Sequence, residues 1–151
     1  MAQAAGPPLE DSAGLDFRNV TTRVLSVDPG EARLGLAVSD PSQTIARPLK
    51  VIRHISRAKD AQAIVDIARR EGAEAIVVGI AYDSRGEVGP QARRAQRLAA
   101  AIRETGFPRV ETWDESGSTE EALAFRGADE MIDARAAAVI LQSYLDATST
   151  S

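Results

Sequence analysis

The sequence contains no cysteine and a single histidine, His54. Without thiolates there is no disulfide, no cysteine-bound zinc and no thiol nucleophile, and the chain suits a reducing cytoplasm. A lone imidazole likewise rules out a clustered histidine zinc site. Aromatic residues make up only 4% of the chain, which leaves no obvious sugar platform and weakens a paired-carboxylate glycosidase reading. No apolar run is long enough to span a bilayer, and the first 23 residues lack the basic start and apolar stretch of a secretory signal. Positive charge is also scarce: 18 Lys and Arg against 22 Asp and Glu give a net charge of −4, so nothing global marks a nucleic-acid binder. Net charge is a weak test of that function, because metal-binding carboxylates keep a site locally negative until cations fill it.

What is present fits one globular domain: 151 residues, 44% apolar and 26% charged. Residues 1–22, rich in Ala, Gly, Pro and acidic side chains, read as a flexible leader. The domain is expected over 23–147, with 148–151 as a flexible tail. Val24 to Asp28 is a short apolar run halted by Pro29-Gly30, a buried strand ending in a turn. Leu34 to Ser39 is a second strand. Ile45 to Ile55, with Leu49, Val51 and Ile55 in alternation, is expected to be a third, completing an antiparallel meander.

The period then changes. Ala61, Ile64, Val65 and Ala68 predict a helix over Ala58 to Arg70 that stops at Gly72. Ala75 to Val78, capped by Gly79, suits a buried parallel strand. A second helix is expected from Pro90 to Glu104 and a fifth strand over Val110 to Trp113. Ser118-Thr119-Glu120-Glu121 reads as a capping box for a short helix, and a final helix is expected from Ile132 to Asp146. The order is α/β, with a central mixed five-stranded sheet, a meander of three strands plus two parallel ones, flanked by helices. Asp28-Pro29-Gly30 lacks the spacing of a Walker loop, which weakens an ATPase reading.

Three carboxylates stand out. Asp28 ends the first strand, where open α/β sheets place ligands, although an Asp before Pro-Gly also serves as a plain turn former. Asp133 begins an apolar stripe, since Ala137, Ile140, Leu141 and Tyr144 follow at offsets of 4, 7, 8 and 11. A charge aimed at the core needs a partner or a metal, but a first-turn Asp can also simply complement the helix dipole. Asp114 and Glu115 end the fifth strand on opposite faces, so only one can join the site. Oxygen ligands alone suit Mg²⁺ or Mn²⁺, and two such ions could drive in-line displacement at phosphate.

Taken in order, Val27-Asp28-Pro29-Gly30 with Arg33-Leu34-Gly35-Leu36-Ala37-Val38-Ser39-Asp40, then Ile76-Val77-Val78-Gly79, Gly89-Pro90-Gln91-Ala92-Arg93-Arg94, Asp114-Glu115 with Ser118-Thr119, and the helix from Asp133 to Asp146 resemble the YqgF/RuvX family. The resemblance covers Arg23 to Asp146. It implies a ribonuclease H-like fold, with Asp28, Glu115 and Asp133 as catalytic and metal-binding residues for Mg²⁺ or Mn²⁺. It implies one of two activities, trimming the 5′ end of precursor small-subunit ribosomal RNA or cutting Holliday junctions. The sequence departs from the family where Ser116-Gly117 follows Glu115 in place of an arginine, and where Tyr82 to Gly86 lacks the usual Asp-Gly ending.

Arg33, Arg85, Arg93, Arg94 and Arg97 are candidate phosphate contacts if their loop and helix flank the acidic edge; otherwise they form an ordinary solvated face. His54 reads as a packing or surface residue, and Trp113 as core. A rival to the enzyme is a non-catalytic nucleic-acid-binding or ribosome-assembly module on the same fold. Symmetric cutting of a junction would call for a homodimer.

Overall fold

The computed structural model describes residues 22–115 and 130–149. The short helix expected at Ser118 to Glu121, and all but the last residue of the expected leader, lie outside the described residues. Strands β1 (Arg23–Pro29), β2 (Arg33–Ser39) and β3 (Ala46–Arg53) are followed by α1 (Arg57–Glu71), β4 (Ala73–Ile80), α2 (Pro90–Glu104), β5 (Val110–Asp114) and α3 (Ile132–Thr148). The five-stranded sheet runs β3-β2-β1-β4-β5. β1, β2 and β3 pair antiparallel, while β4 is parallel to both β1 and β5. This is the mixed sheet expected from the sequence.

Side-chain alternation divides the sheet into two faces. Leu25 and Val27 of β1, Leu34, Leu36 and Val38 of β2, and Ile76 and Val78 of β4 pack with α1 and α2 in the larger core. The other face carries Val24, Ala37, Ala75 and Val77 beneath Ala137, Leu141, Tyr144 and Leu145 of α3. That face is paved with small residues, so α3 lies close on it. The buried Ser26 hydroxyl donates to the Ala137 carbonyl at 2.8 Å. Each fully buried Leu, Ile or Val contributes on the order of 1.5–3 kcal/mol, so both faces are needed for a stable fold.

Helix boundaries follow local chemistry. Ser56 caps α1 by accepting from the Lys59 amide at 3.2 Å, and Gly72, at φ 75°, closes it in the left-handed conformation that glycine tolerates. Pro90 begins α2 behind Gly89.

The third strand differs from expectation. It spans Ala46–Arg53, leaving Ile45 and Ile55 outside it and 63% and 67% exposed. Its register shifts where Leu36 pairs with Lys50 but Ala37 pairs with Pro48, which makes Leu49 an extra residue. Leu49 therefore packs with Ile52 against the larger core. A bulge breaks period two, and strict alternation from Leu49 through Val51 cannot survive it.

Candidate active site

Asp28 is the penultimate residue of β1 and pairs across the sheet with Gly35 of β2. On its other side Val27 pairs with Val78, which puts Gly79 on the next step of β4. A glycine thus stands on each side of the acid. The reason is space. A Cβ on Gly35 would lie 1.9 Å from the Asp133 carbonyl oxygen, and one on Gly79 would lie 2.5 Å from Glu115 Oε1 and 2.8 Å from Ile140 Cδ1. These two glycines admit the first turn of α3 and the Glu115 side chain to the carboxyl edge of the sheet.

Glu115 follows β5, and its amide donates to the Ile80 carbonyl at 2.9 Å, extending the pairing between β4 and β5 by one residue. It is buried, whereas Asp114 is exposed. The expectation that one of the two turns inward resolves to Glu115. Asp133 sits in the first turn of α3, and its Oδ2 accepts from Arg33 Nε at 2.8 Å.

The acids crowd one another. Burial pushes the Asp28 carboxyl up to about 8, and the charges of Glu115 and Asp133 add to the rise. Burial, with the charge of Asp114, pushes Glu115 to about 7. Among the described residues, Glu115 Oε1 is buried without a hydrogen-bond partner. A buried unsatisfied carboxylate oxygen is costly and calls for a proton or a cation. The chemistry at Asp28 and Glu115 therefore fits a hard divalent cation. Among the described residues no three acidic or histidine side chains stand arranged to hold a metal ion. Asp133 is engaged by Arg33 instead, and would have to exchange that partner to join a ligand set.

Arg33 thus belongs to the acidic edge itself. Arg94 reaches Glu31 at 3.5 Å beside the β1–β2 turn. Arg93 contacts the Val88 carbonyl at 3.5 Å, and Arg97 is exposed on α2. Arg85 lies in an exposed turn, where Asp83 Oδ1 accepts from the amides of Arg85 and Glu87 at 2.9 and 2.8 Å and Gly86 takes φ 76°. Only Arg33 among the five candidate phosphate contacts is bonded to one of the three acids.

A pocket of about 320 Å³ opens next to the site, walled by Pro29 and Gly30, which directly follow Asp28. His54 borders it. Its Nδ1 donates to Asp60 Oδ2 at 2.5 Å, and Asp60, 4% exposed, also accepts from the Ile55 amide at 3.0 Å.

The RuvX: Holliday junction resolvase family matches residues 22–147. The chain belongs to that family. It is 37% identical over 138 residues to a protein of Caldanaerobacter subterraneus subsp. tengcongensis named pre-16S rRNA nuclease, covering 85% of this chain and 99% of the relative. A Rubrobacter xylanophilus protein of the same name is 41% identical over 133 residues, covering 82% and 92% respectively. Among solved structures, Thermus thermophilus RuvC in complex with a Holliday junction substrate aligns with TM-score 0.51 at 21% identity, covering 85% of this chain and 96% of RuvC. That likeness is one of fold, and the sheet described above is the ribonuclease H-like arrangement that the sequence implied.

Within this RuvX-family chain the contact between His54 and Asp60 was not evident from the sequence. His54 faces solvent, one of the two placements expected for it, and buried Asp60 in addition fixes its ring at a pocket mouth. The available signal was Asp60, an acid that falls on the buried face of α1 beside Ala61 and Ile64. A buried acid on such a face asks for a donor, and the only histidine lies six residues before it.

Proposed function

We propose that this chain is a divalent-metal-dependent nuclease that hydrolyses phosphodiesters in structured nucleic acid, processing the 5′ end of precursor small-subunit ribosomal RNA in the cytoplasm. The observation that carries the reading is Glu115 Oε1, buried without a hydrogen-bond partner among the described residues, beside an Asp28 carboxyl whose proton affinity is raised by burial and further by its acidic neighbours. Such a site gains most from a cation, and family membership together with relatives named for nuclease action on pre-16S rRNA supports that use.

In this reading Asp28, Glu115 and Asp133 hold Mg²⁺ or Mn²⁺, two ions when fully loaded. Bound there, the metal supplies an activated water and neutralises charge on the leaving oxygen. The protein fixes the acids on rigid elements: Asp28 on a central strand, Glu115 tied to Ile80, Asp133 in the first turn of α3. Arg33 pairs with Asp133 and, were Asp133 to ligate metal, would be free to hold a phosphate through its guanidinium fork. Arg85, Arg93, Arg94 and Arg97 extend the phosphate-binding surface along the loop and α2.

The family description favours a second substrate, four-way DNA, with a homodimer supplying two equivalent cuts. One panel separates the readings: precursor ribosomal RNA, single strands and four-way junctions, each with Mg²⁺ or Mn²⁺. The expected result is metal-dependent cleavage at the RNA 5′ end, lost in a folded Asp28→Asn variant. Cleavage confined to junctions would reassign the substrate. Binding that survives Asp28→Asn, with no cleavage of any member, would mark a non-catalytic module.

A further inference from the structure

The pocket beside Pro29 and Gly30 is not used by the three acids, yet only the peptide from Asp28 to Gly30 separates it from them. It lies on the opposite side of the β1 terminus, between the β1–β2 turn, the start of α1 and the Arg94 and Leu98 positions of α2. At about 320 Å³ it is at the small end of the roughly 300–1,000 Å³ typical of ligand pockets, a volume suited to one mononucleotide-sized group.

Its chemistry is divided. Leu34 and Leu98 give it an apolar wall, and Arg57 and Arg94 bring two guanidinium groups to it. Apolar walls with flat cationic groups accept a nucleobase by stacking, and guanidinium forks accept phosphate. The Arg94 fork is only loosely engaged, because its partner Glu31 is at 3.5 Å and that side chain is 86% exposed. An exposed pair of this kind is worth little and yields readily to a phosphate. His54 is set differently. Buried Asp60 holds its Nδ1, which orients the ring and leaves Nε2 as the nitrogen available to a ligand.

We infer that this pocket is a nucleotide subsite, which receives one nucleotide of the bound strand next to the phosphodiester presented to Asp28, with the base against Leu34 and Leu98, its phosphate held by Arg57 and Arg94, and His54 Nε2 accepting from a base amine or ribose hydroxyl. The inference rests on the nuclease reading for the identity of the strand. The pocket's own chemistry selects a base attached to a phosphate. Free mononucleotides share that chemistry, so the test has arms for both sources.

The first arm is metal-free. Amide resonances of the full chain are followed by NMR while uridine 5′-monophosphate or adenosine 5′-monophosphate is added, with ribose 5-phosphate and inorganic phosphate as controls. Saturable shifts are expected at Gly30, Ser56 and Leu98, and Arg94→Ala and Arg57→Ala should each weaken binding by about tenfold, the loss of one charge-assisted hydrogen bond. Both arginines lie on the surface side of the pocket, and the spectra themselves report whether the variants fold. Equal shifts from inorganic phosphate, or shifts centred elsewhere, overturn the subsite.

The second arm uses the RNA substrate with single abasic positions placed in turn along the strand. One position near the cut should weaken binding about tenfold in the unmodified protein and much less in Arg94→Ala. If no position does so, the pocket is not occupied by the strand and the inference fails. Asp28→Asn should bind the mononucleotides within twofold of the parent. Loss of all metal-dependent cleavage in the parent protein would sink the nuclease reading while leaving the mononucleotide result standing; cleavage without any pocket shifts would sink the subsite alone.

Discussion

Gly35 lies directly beneath the first turn of α3, so close to Asp133 that a Cβ at residue 35 would come within 1.9 Å of the Asp133 carbonyl oxygen. No side chain can be fitted there by rotamer adjustment, because the obstructing atom is backbone. Gly35→Ala must therefore lift the start of α3 away from the sheet. Overpacking of this kind costs about 1–3 kcal/mol, and more where backbone is met. The expected outcome is a fall in melting temperature of several degrees together with loss of cleavage. Gly86→Ala, whose Cβ would meet nothing within 4 Å, is the comparison: it is strained only by its φ of 76° and should keep the active site intact.

The ion pair between Arg33 and Asp133 places a cation of the protein where a metal would compete. The side chains are 61% and 29% exposed, so the pair contributes at most about 1 kcal/mol. Arg33→Ala should release Asp133 and tighten Mg²⁺ binding by up to about fivefold, read by calorimetry, while weakening RNA binding. Unchanged or weaker metal affinity would show that Arg33 supports the acid's position and does not compete for it.

Stability should fall with rising pH in the metal-free protein. Asp28 is raised from 3.8 to about 8 and Glu115 from 4.5 to about 7. The folded state thus keeps protons that the unfolded chain has already released. Stability from these groups is fully present below the unfolded values near 4 and is lost as pH climbs through about 7 and 8, at a limiting slope of about 1.4 kcal/mol per pH unit for each carboxyl. A melting series from pH 5 to pH 9 should slope downward, flatten in Asp28→Asn, and be largely abolished by millimolar Mg²⁺. An upward slope across that range would contradict the burial of these acids.

Phosphate contact by α2 is open to a simple measurement. RNA affinity should decline with salt, and Arg97→Ala should reduce the logarithmic slope by about 0.7–0.9, the contribution of one phosphate contact. If the slope does not change, Arg97 belongs to the solvated face of the helix.

Much of this architecture was legible because it depends on period and punctuation. The apolar runs of β1 and β4, the helical spacing in α1 and α2, and the glycine stop at Gly72 all act locally, and each element formed where its pattern placed it. The acids were legible as strand-end and helix-start positions. Their unequal circumstances were not. Asp133 begins an apolar stripe in the sequence, yet it is Glu115 that is buried, its Oε1 without a hydrogen-bond partner among the described residues, because Gly79 opens a space that only the assembled sheet reveals. The bulge at Leu49 and the bond from His54 to Asp60 were hidden for the same reason: each depends on a neighbour brought in by tertiary structure.

The dependence of the site on α3 also sets an order of events during synthesis. Asp28 lies near the start of the domain, but Asp133 enters only with the last helix, seated by Gly35 and fastened by Ser26 to Ala137. A nascent chain that has delivered all five strands of the sheet still lacks Asp133 and the helix that covers one of its faces. The acidic edge therefore takes shape only once α3 has been made and has docked on the sheet, and a chain ending before Ile132 would leave Asp28 beside an uncovered face.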